Sequence, residues 1–113
     1  MSKLVVNILS EAQELIRDPS KWCQGAFARD AEGRPVAFDG KPACSWCALG
    51  AVDFIGTKRR DYISSGRALR ALRIASELYW TGEADPAGVN DNSNHAAVME
   101  MFDRAIQIAK EED

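Results

Sequence analysis

The stretch Ala43-Cys44-Ser45-Trp46-Cys47-Ala48-Leu49-Gly50-Ala51-Val52 contains two of the three cysteines and opens an apolar segment of the chain. Pro42 suits the first turn of a helix, where no backbone N–H is needed. A helix over residues 42–55 would have one narrow apolar face, formed by Cys44, Cys47, Ala48 and Ala51. The stretch therefore predicts a central, buried helix that begins before Cys47 and ends at Gly56.

The environment predicted for Cys47 contains two opposing influences on its thiol. Unsatisfied N–H groups and the positive end of the helix dipole favour the thiolate, whereas close apolar packing favours the neutral thiol. The dipole contributes about 0.3 to 1 kcal/mol, and desolvation of a charge exceeds that. We expect a buried Cys47 that reacts slowly.

Length and composition favour one domain over residues 1–113, because 46% of the residues are hydrophobic and can form a core. A net charge of -3 argues against a broad phosphate-binding surface. No stretch approaches the roughly 20 apolar residues of a membrane span, and no signal-peptide pattern is present. The chain is expected to be cytoplasmic, with reduced thiols and no cofactor.

Apolar residues at helical spacing predict three further helices, over residues 3–17, 66–80 and 95–110. The residues predicted to face inward include Leu4, Ile8, Leu15, Trp46, Leu49, Leu72, Leu78, Tyr79, Val98, Phe102 and Ala105. The period changes over residues 26–38, where a turn ending at Gly33 predicts a small β-hairpin with Pro35 in its edge strand. The predicted fold is mainly α: four helices, with the hairpin between the first and the second.

Several short motifs together resemble a known family. They are Trp22 with Gly25, Ala28-Arg29-Asp30 with Gly33, Trp46-Cys47-Ala48-Leu49-Gly50-Ala51, Asn90-Asp91, and Phe102-Asp103-Arg104-Ala105-Ile106. This pattern resembles an uncharacterised domain-of-unknown-function family of small bacterial and phage proteins. The resemblance implies a bacterial or phage source and a single domain, and it brings no catalytic residues with it.

Cys47 and His95 are candidate catalytic residues, as nucleophile and base, with Asp91 or Asn90 as the group that orients the base. The competing interpretation is that Cys47 is a small buried hydrophobic residue and His95 only begins a helix. Whether the two side chains meet cannot be derived from their positions in the sequence.

The three cysteines also suggest metal and redox sites. Cys23, Cys44, Cys47 and His95 are candidate zinc ligands, but a single Cys-x-x-Cys pair is weak evidence for zinc. The same pair has the spacing of a redox dithiol, without the βαβ context expected around one. Residues 90–94 offer oxygen ligands for calcium, yet capping of the last helix by Asn92 or Ser93 explains this polar run more simply.

Six of the fourteen Lys and Arg residues lie between Lys58 and Arg73. They are Lys58, Arg59, Arg60, Arg67, Arg70 and Arg73. A solvated basic face is favoured over a phosphate-binding patch, because the chain is acidic and no aromatic residues are interleaved.

The leading functional hypothesis is a protein-interaction or small-ligand-binding module, and a homodimer is compatible with it. The alternatives are a thiol-dependent hydrolase or transferase that uses Cys47 and His95, and a nucleic-acid-associated accessory protein.

Overall fold

Five α-helices and a three-stranded sheet make up the part of the chain that this computed structural model describes, residues 2–82 and 85–112. The helices are α1 (Ser2–Leu15), α2 (Ala48–Arg59), α3 (Tyr62–Tyr79), α4 (Pro86–Asn92) and α5 (His95–Glu111). The strands are β1 (Ala28–Arg29), β2 (Pro35–Val36) and β3 (Ser45–Trp46). The sheet lies between α1 and α2 in the chain, so the mainly α fold with an inserted β element is confirmed.

The core lies where α1, α2, α3 and α5 pack against one another. Its fully buried large side chains include Ile8, Leu9, Ile16, Leu72, Met101 and Phe102. The predicted burial of Ile8, Trp46, Leu72, Val98, Phe102 and Ala105 is confirmed. Leu15 and Leu49 are only partly buried.

Three residues predicted to face inward are exposed. Leu4 lies about 100° around α1 from Val5, which is central in the buried stripe, and is 42% exposed. Leu78 and Tyr79 are exposed at the last turn of α3, where Tyr79 packs under the guanidinium of Arg104. A periodic pattern shows which side of a helix is apolar, but it does not show which residues another element covers.

The predicted hairpin is present, and a third strand joins it. β1 pairs with β2 on one side and with β3 on the other, both antiparallel, so Pro35 lies in an edge strand as predicted. Gly33 has a φ of 82°, the left-handed conformation that the turn requires.

The helical prediction for residues 42–47 is wrong. The backbone N–H groups of Cys44 and Cys47 donate to the carbonyls of Arg29 and Phe27, at 2.9 and 3.1 Å. These bonds hold the segment against β1 as β3, so α2 begins only at Ala48.

The predicted end of this helix at Gly56 is also wrong, because α2 continues to Arg59. The missing side chain of Gly56 serves packing instead, since a Cβ there would lie 2.6 Å from the Cβ of Ser65 on α3.

The polar run before the last helix contains a helix of its own. α4 occupies Pro86–Asn92, with Asp85 as its N-cap, and was not predicted. The cap of α5 is Asn94, whose side chain accepts from the N–H of Ala97 at 2.9 Å, so the expected caps Asn92 and Ser93 are wrong.

Candidate functional site

The side chain of Asn90, on α4, makes four hydrogen bonds that join three segments of the chain, and the residue is only 1% exposed. Its Oδ1 accepts from the indole N–H of Trp22 at 2.7 Å and from the backbone N–H of Ala48 at 3.0 Å. Its Nδ2 donates to the carbonyl of Cys23 at 3.0 Å and to Oδ1 of Asp91 at 2.9 Å. The loop before β1, the start of α2 and α4 are therefore fixed to one another at this amide.

The Asn90 amide takes the place of a peptide group in a short parallel contact. Trp22 and Trp46 form a parallel bridge, and the N–H of Cys23 donates to the carbonyl of Trp46 at 3.0 Å. In a continued parallel ladder, the next bond would join the N–H of Ala48 to the carbonyl of Cys23. The Asn90 side chain lies between these two groups and bonds to both, so the ladder ends without an unpaired group.

The loop that carries Gln24 and Gly25 covers the end of α4. Nε2 of Gln24 donates to the carbonyls of Asn90, Asp91 and Ser93, at 3.0 to 3.3 Å. The N–H of Gly25, which has a φ of 78°, donates to Oδ1 of Asp91 at 3.0 Å. The bonds from Gln24 satisfy backbone carbonyls that a helix end leaves unpaired, and the bond from Gly25 holds the Asp91 carboxylate.

A cavity of about 270 Å³ opens beside this network, and we call it the Asn90 cavity. Its lining residues are Gly25, Ala26, Phe27, Cys47, Leu49, Ala87, Asn90 and Asp91. Apolar side chains thus form most of the wall, while an amide and a carboxylate lie at one side.

Cys47, a candidate nucleophile, caps α2. Its Sγ accepts from the N–H of Gly50 at 3.3 Å, and the residue is 7% exposed. Burial raises the pKa of the Cys47 thiol above its usual value, and this outweighs the lowering by the N–H groups of Gly50 and Leu49. Cys47 is therefore a protonated thiol at neutral pH, as the burial argument predicted.

The structure brings two of the three candidate catalytic residues to one cavity. Cys47 and Asp91 both line it, whereas His95 lies outside the described lining residues. Nε2 of His95 donates to the carbonyl of Ile16 at 2.8 Å, and its ring meets that of Trp22 edge-on at 5.6 Å. The position of His95 is explained by these two contacts.

All three cysteines are free thiols; Cys23 and Cys47 are buried and Cys44 is exposed. Burial also raises the pKa of Cys23. Over residues 2–82 and 85–112, no three His, Cys, Asp or Glu side chains are grouped so that they could hold a metal ion. The candidate zinc ligands Cys23, Cys44, Cys47 and His95 are thus not assembled.

The basic segment is partly neutralised by its surroundings. Arg59 forms an ion pair with Glu11, and Arg70 forms one with Glu112 at 3.3 Å. Nζ of Lys58 lies 5.5 Å from the centre of the Phe54 ring. These contacts favour the solvated face over the phosphate-binding patch.

Sequence reasoning missed the structural roles of Trp22 and Gln24. The sequence contains a weak signal for Trp22, because the motifs that resemble the family include Trp22 with Gly25 as well as Asn90-Asp91. The spacing of 68 residues between Trp22 and Asn90 carries no periodic signal that would join them.

The model of the "Family of unknown function (DUF6197)" matches residues 1–108. The chain belongs to this family. The part matched to DUF6197 includes all three segments that meet at Asn90, so the family model covers the whole candidate site. No curated protein and no solved structure matches the chain. Across the described residues, every helix is too short or too polar to cross a membrane.

Proposed function

We propose that the chain is a small-ligand-binding protein and that its binding site is the Asn90 cavity. The observation that supports this is an apolar cavity with two polar groups fixed at its edge by hydrogen bonds from separate segments. Ligand sites are typically concave and apolar, with a few polar groups that fix orientation. Such a site is already formed before a ligand arrives, which limits the ordering needed on binding.

The environment of Cys47 supports binding over thiol catalysis. A nucleophilic cysteine needs thiolate character and a base within reach. Burial raises the pKa of Cys47, and the ring of His95 is engaged with Ile16 and Trp22. The thiol-enzyme alternative would require both groups to rearrange.

A protein-interaction role has weaker support. The exposed apolar side chains Tyr62 and Ile63 begin α3, whereas Leu78 and Tyr79 end it. At a rise of about 1.5 Å per residue, the two pairs lie more than 20 Å apart, so they do not form one apolar patch.

We include in the proposal a bacterial or phage source and a cytoplasmic location, where the three free thiols remain reduced.

The test is a screen of small apolar fragments, each with one polar group, monitored by amide chemical shifts of the ¹⁵N-labelled protein. We expect the shifts to concentrate at Gly25, Ala48 and Asp91. The variant Ala87→Leu narrows the cavity and should abolish them. Its matched control is Ala96→Leu, on the exposed face of α5, which should bind like the parent.

Two results would overturn the proposal. One is a screen in which no fragment shifts these amides. The other is a set of shifts that survives in a folded Ala87→Leu variant, because binding would then occur elsewhere.

A further inference from the structure

Three backbone N–H groups beside the Asn90 cavity are already bonded within the protein. At the start of α2, the N–H of Ala48 bonds to Asn90 and that of Gly50 bonds to Cys47. The N–H of Gly25 bonds to Asp91. The positive end of α2 therefore offers these groups to the protein itself and not to an anionic ligand.

The nearby cation is engaged in the same way. Arg29 lies beside Gly25, and its guanidinium donates to the carbonyl of Gln24 through Nε and Nη2 and to that of Gly33 through Nη1, at 2.8 to 3.3 Å. It folds the loop and is not among the described lining residues. Three of its five N–H groups thus bond to backbone carbonyls, and these bonds orient the guanidinium toward the loop.

Asp91 supplies a hydrogen-bond acceptor at the cavity, and it differs from the donors described above because it carries a negative charge. Asp91 is exposed, and of the described lining residues it alone bears a formal charge at neutral pH. Its Oδ1 receives the bonds from Gly25 and Asn90, and these fix the direction of the carboxylate. A carboxylate held in this way at the edge of an apolar wall is suited to an ammonium group on an apolar body.

We propose that the Asn90 cavity binds a small organic cation, namely a primary ammonium group attached to a ring or a short branched hydrocarbon. The ammonium group donates to Asp91, and the apolar body packs against Phe27, Leu49 and Ala87. An apolar cavity of about 150 Å³ holds benzene, so about 270 Å³ has room for one ring with an aminomethyl group. This inference rests on the proposed function, because it names the ligand class of the same site.

The experiment compares three probes of nearly equal shape: benzylammonium, benzyl alcohol and benzoate. Each is titrated into the ¹⁵N-labelled protein at neutral pH, and the amides of Gly25 and Asp91 report binding. We expect benzylammonium to bind about five- to tenfold more tightly than benzyl alcohol, and benzoate to bind least well. The preference for the cation should shrink as salt is added, because the carboxylate is partly in solvent.

The variant Asp91→Asn separates charge from structure. The amide oxygen can still accept from Gly25 and Asn90, so the fold is retained while the charge is removed. We expect this variant to bind benzylammonium and benzyl alcohol equally. The matched control Glu77→Gln removes one charge from the exposed face of α3 and should keep the full preference.

The outcomes distinguish the two proposals. If none of the three probes, and none of the screened fragments, shifts the cavity amides, the proposed function fails. If probes bind in the cavity but benzyl alcohol or benzoate binds as tightly as benzylammonium, the ligand class is wrong while the binding site stands. A cation preference that survives in a folded Asp91→Asn variant also overturns the ligand class.

Discussion

A primary amide has two N–H groups and an oxygen with two lone pairs, and Asn90 uses all four. The cost of burying its polar atoms is thereby offset, since each of them has a hydrogen-bond partner. No hydrophobic side chain of similar size could replace it, because the N–H of Ala48 and the carbonyl of Cys23 would lose their partner. At the residue scale, the geometry of the cavity depends on this one side chain.

The first prediction concerns Asn90→Ala. Leaving a buried donor or acceptor unpaired costs about 1 to 3 kcal/mol, and this change affects several groups at once, so we expect the free energy of unfolding to fall by about 3 kcal/mol or more. Urea denaturation measures it. Gln107→Ala, on the exposed face of α5, is the control and should change stability by less than about 0.5 kcal/mol. A loss below about 1 kcal/mol in Asn90→Ala would show that water replaces the amide.

The second prediction concerns the order in which the three thiols react. Cys44 is exposed, whereas Cys23 and Cys47 are buried with raised pKa values. We expect iodoacetamide to label Cys44 first in the native protein, and Cys47 to stay unlabelled at neutral pH. Mass spectrometry with site assignment measures both.

The pH dependence has a definite sign. The unfolded Cys47 thiol ionises near its ordinary pKa of 9.0, while the buried thiol stays protonated to a higher pH. Any contribution of this thiol to stability is therefore present below about pH 9 and is lost as the pH rises through the folded pKa. Rapid labelling of Cys47 at about pH 6 that disappears in His95→Ala would contradict this account and favour the thiol enzyme.

The candidate site was predictable in part. The sequence identifies Cys47 and Asp91 as candidate catalytic residues, and both line the cavity. The proposed partnership of Cys47 with His95 depended on how two distant segments meet. The spacing of residues along the sequence does not indicate that the His95 ring would instead donate a hydrogen bond to the carbonyl of Ile16.

At the scale of elements, the segment before α2 shows why a local pattern is insufficient. Small apolar residues around Cys44 and Cys47 fit a helix as well as a strand. The choice is made by backbone bonds to Arg29 and Phe27, residues of a strand segment some 15 to 20 positions earlier. Two-residue strands have no periodicity of their own, so β3 follows from its partner β1. The long helices α1 and α5 carry enough periodic residues to be predicted directly.

The third prediction tests the close approach of α2 to Phe27, the residue before β1. A Cβ on Gly50 would overlap the carbonyl oxygen of Phe27 and lie 2.9 Å from its carbonyl carbon, so Gly50→Ala must displace the strand segment. We expect a loss of about 1 to 3 kcal/mol or more. Gly66→Ala is the matched control in α3, because a Cβ there meets nothing within 4 Å.

Gly66→Ala should raise stability by about 0.5 to 1 kcal/mol, since alanine is the better helix former. Thermal and urea unfolding of both variants provide the comparison. Equal effects of the two substitutions would mean that α2 and Phe27 separate at little cost in free energy.

The fourth prediction concerns acid. Asp18, Asp30 and Asp61 each accept backbone N–H bonds at a turn or a helix start, and these bonds lower the pKa of each carboxyl below the usual 3.8. Their contribution to stability is therefore present above about pH 4 and is lost as the pH falls through the folded values. We expect the free energy of unfolding to fall between about pH 5 and about pH 2.

The double variant Asp30→Asn and Asp61→Asn isolates this effect. Asparagine can accept the same N–H bonds but does not titrate, so the acid slope should become shallower while the fold at neutral pH is retained. Urea denaturation at a series of pH values measures the slope. An unchanged slope would assign acid sensitivity to other carboxylates.

At the scale of the molecule, composition and helical periodicity establish the mainly α class. They do so because every long helix needs an apolar stripe to pack on its neighbours. The arrangement of those helices around one core, and the bonds from the loop before β1 to α4, depend on contacts between distant segments. The pairing of charges also depends on the fold. The sequence shows six basic residues between Lys58 and Arg73, but only the folded chain shows which carboxylates lie against them.

The fifth prediction follows from that distribution of charge. Proteins that bind nucleic acid nonspecifically do so through several uncompensated cations, each of which adds about -0.9 to the slope of log K against log salt. Here Arg59 and Arg70 are paired with Glu11 and Glu112, and the net charge is -3. We therefore expect no change in the fluorescence anisotropy of labelled duplex DNA, even at low salt.

Glu11→Gln with Glu112→Gln is the informative variant for this prediction. It frees both arginines without altering the basic residues, so any affinity that ion pairing suppresses should appear there and weaken with salt. Tight binding by the parent chain, with a salt slope of several units, would make the basic segment a functional surface. If neither the parent nor the double variant binds DNA, the positions of these cations, and not only their ion pairs, prevent them from contacting several phosphates at once.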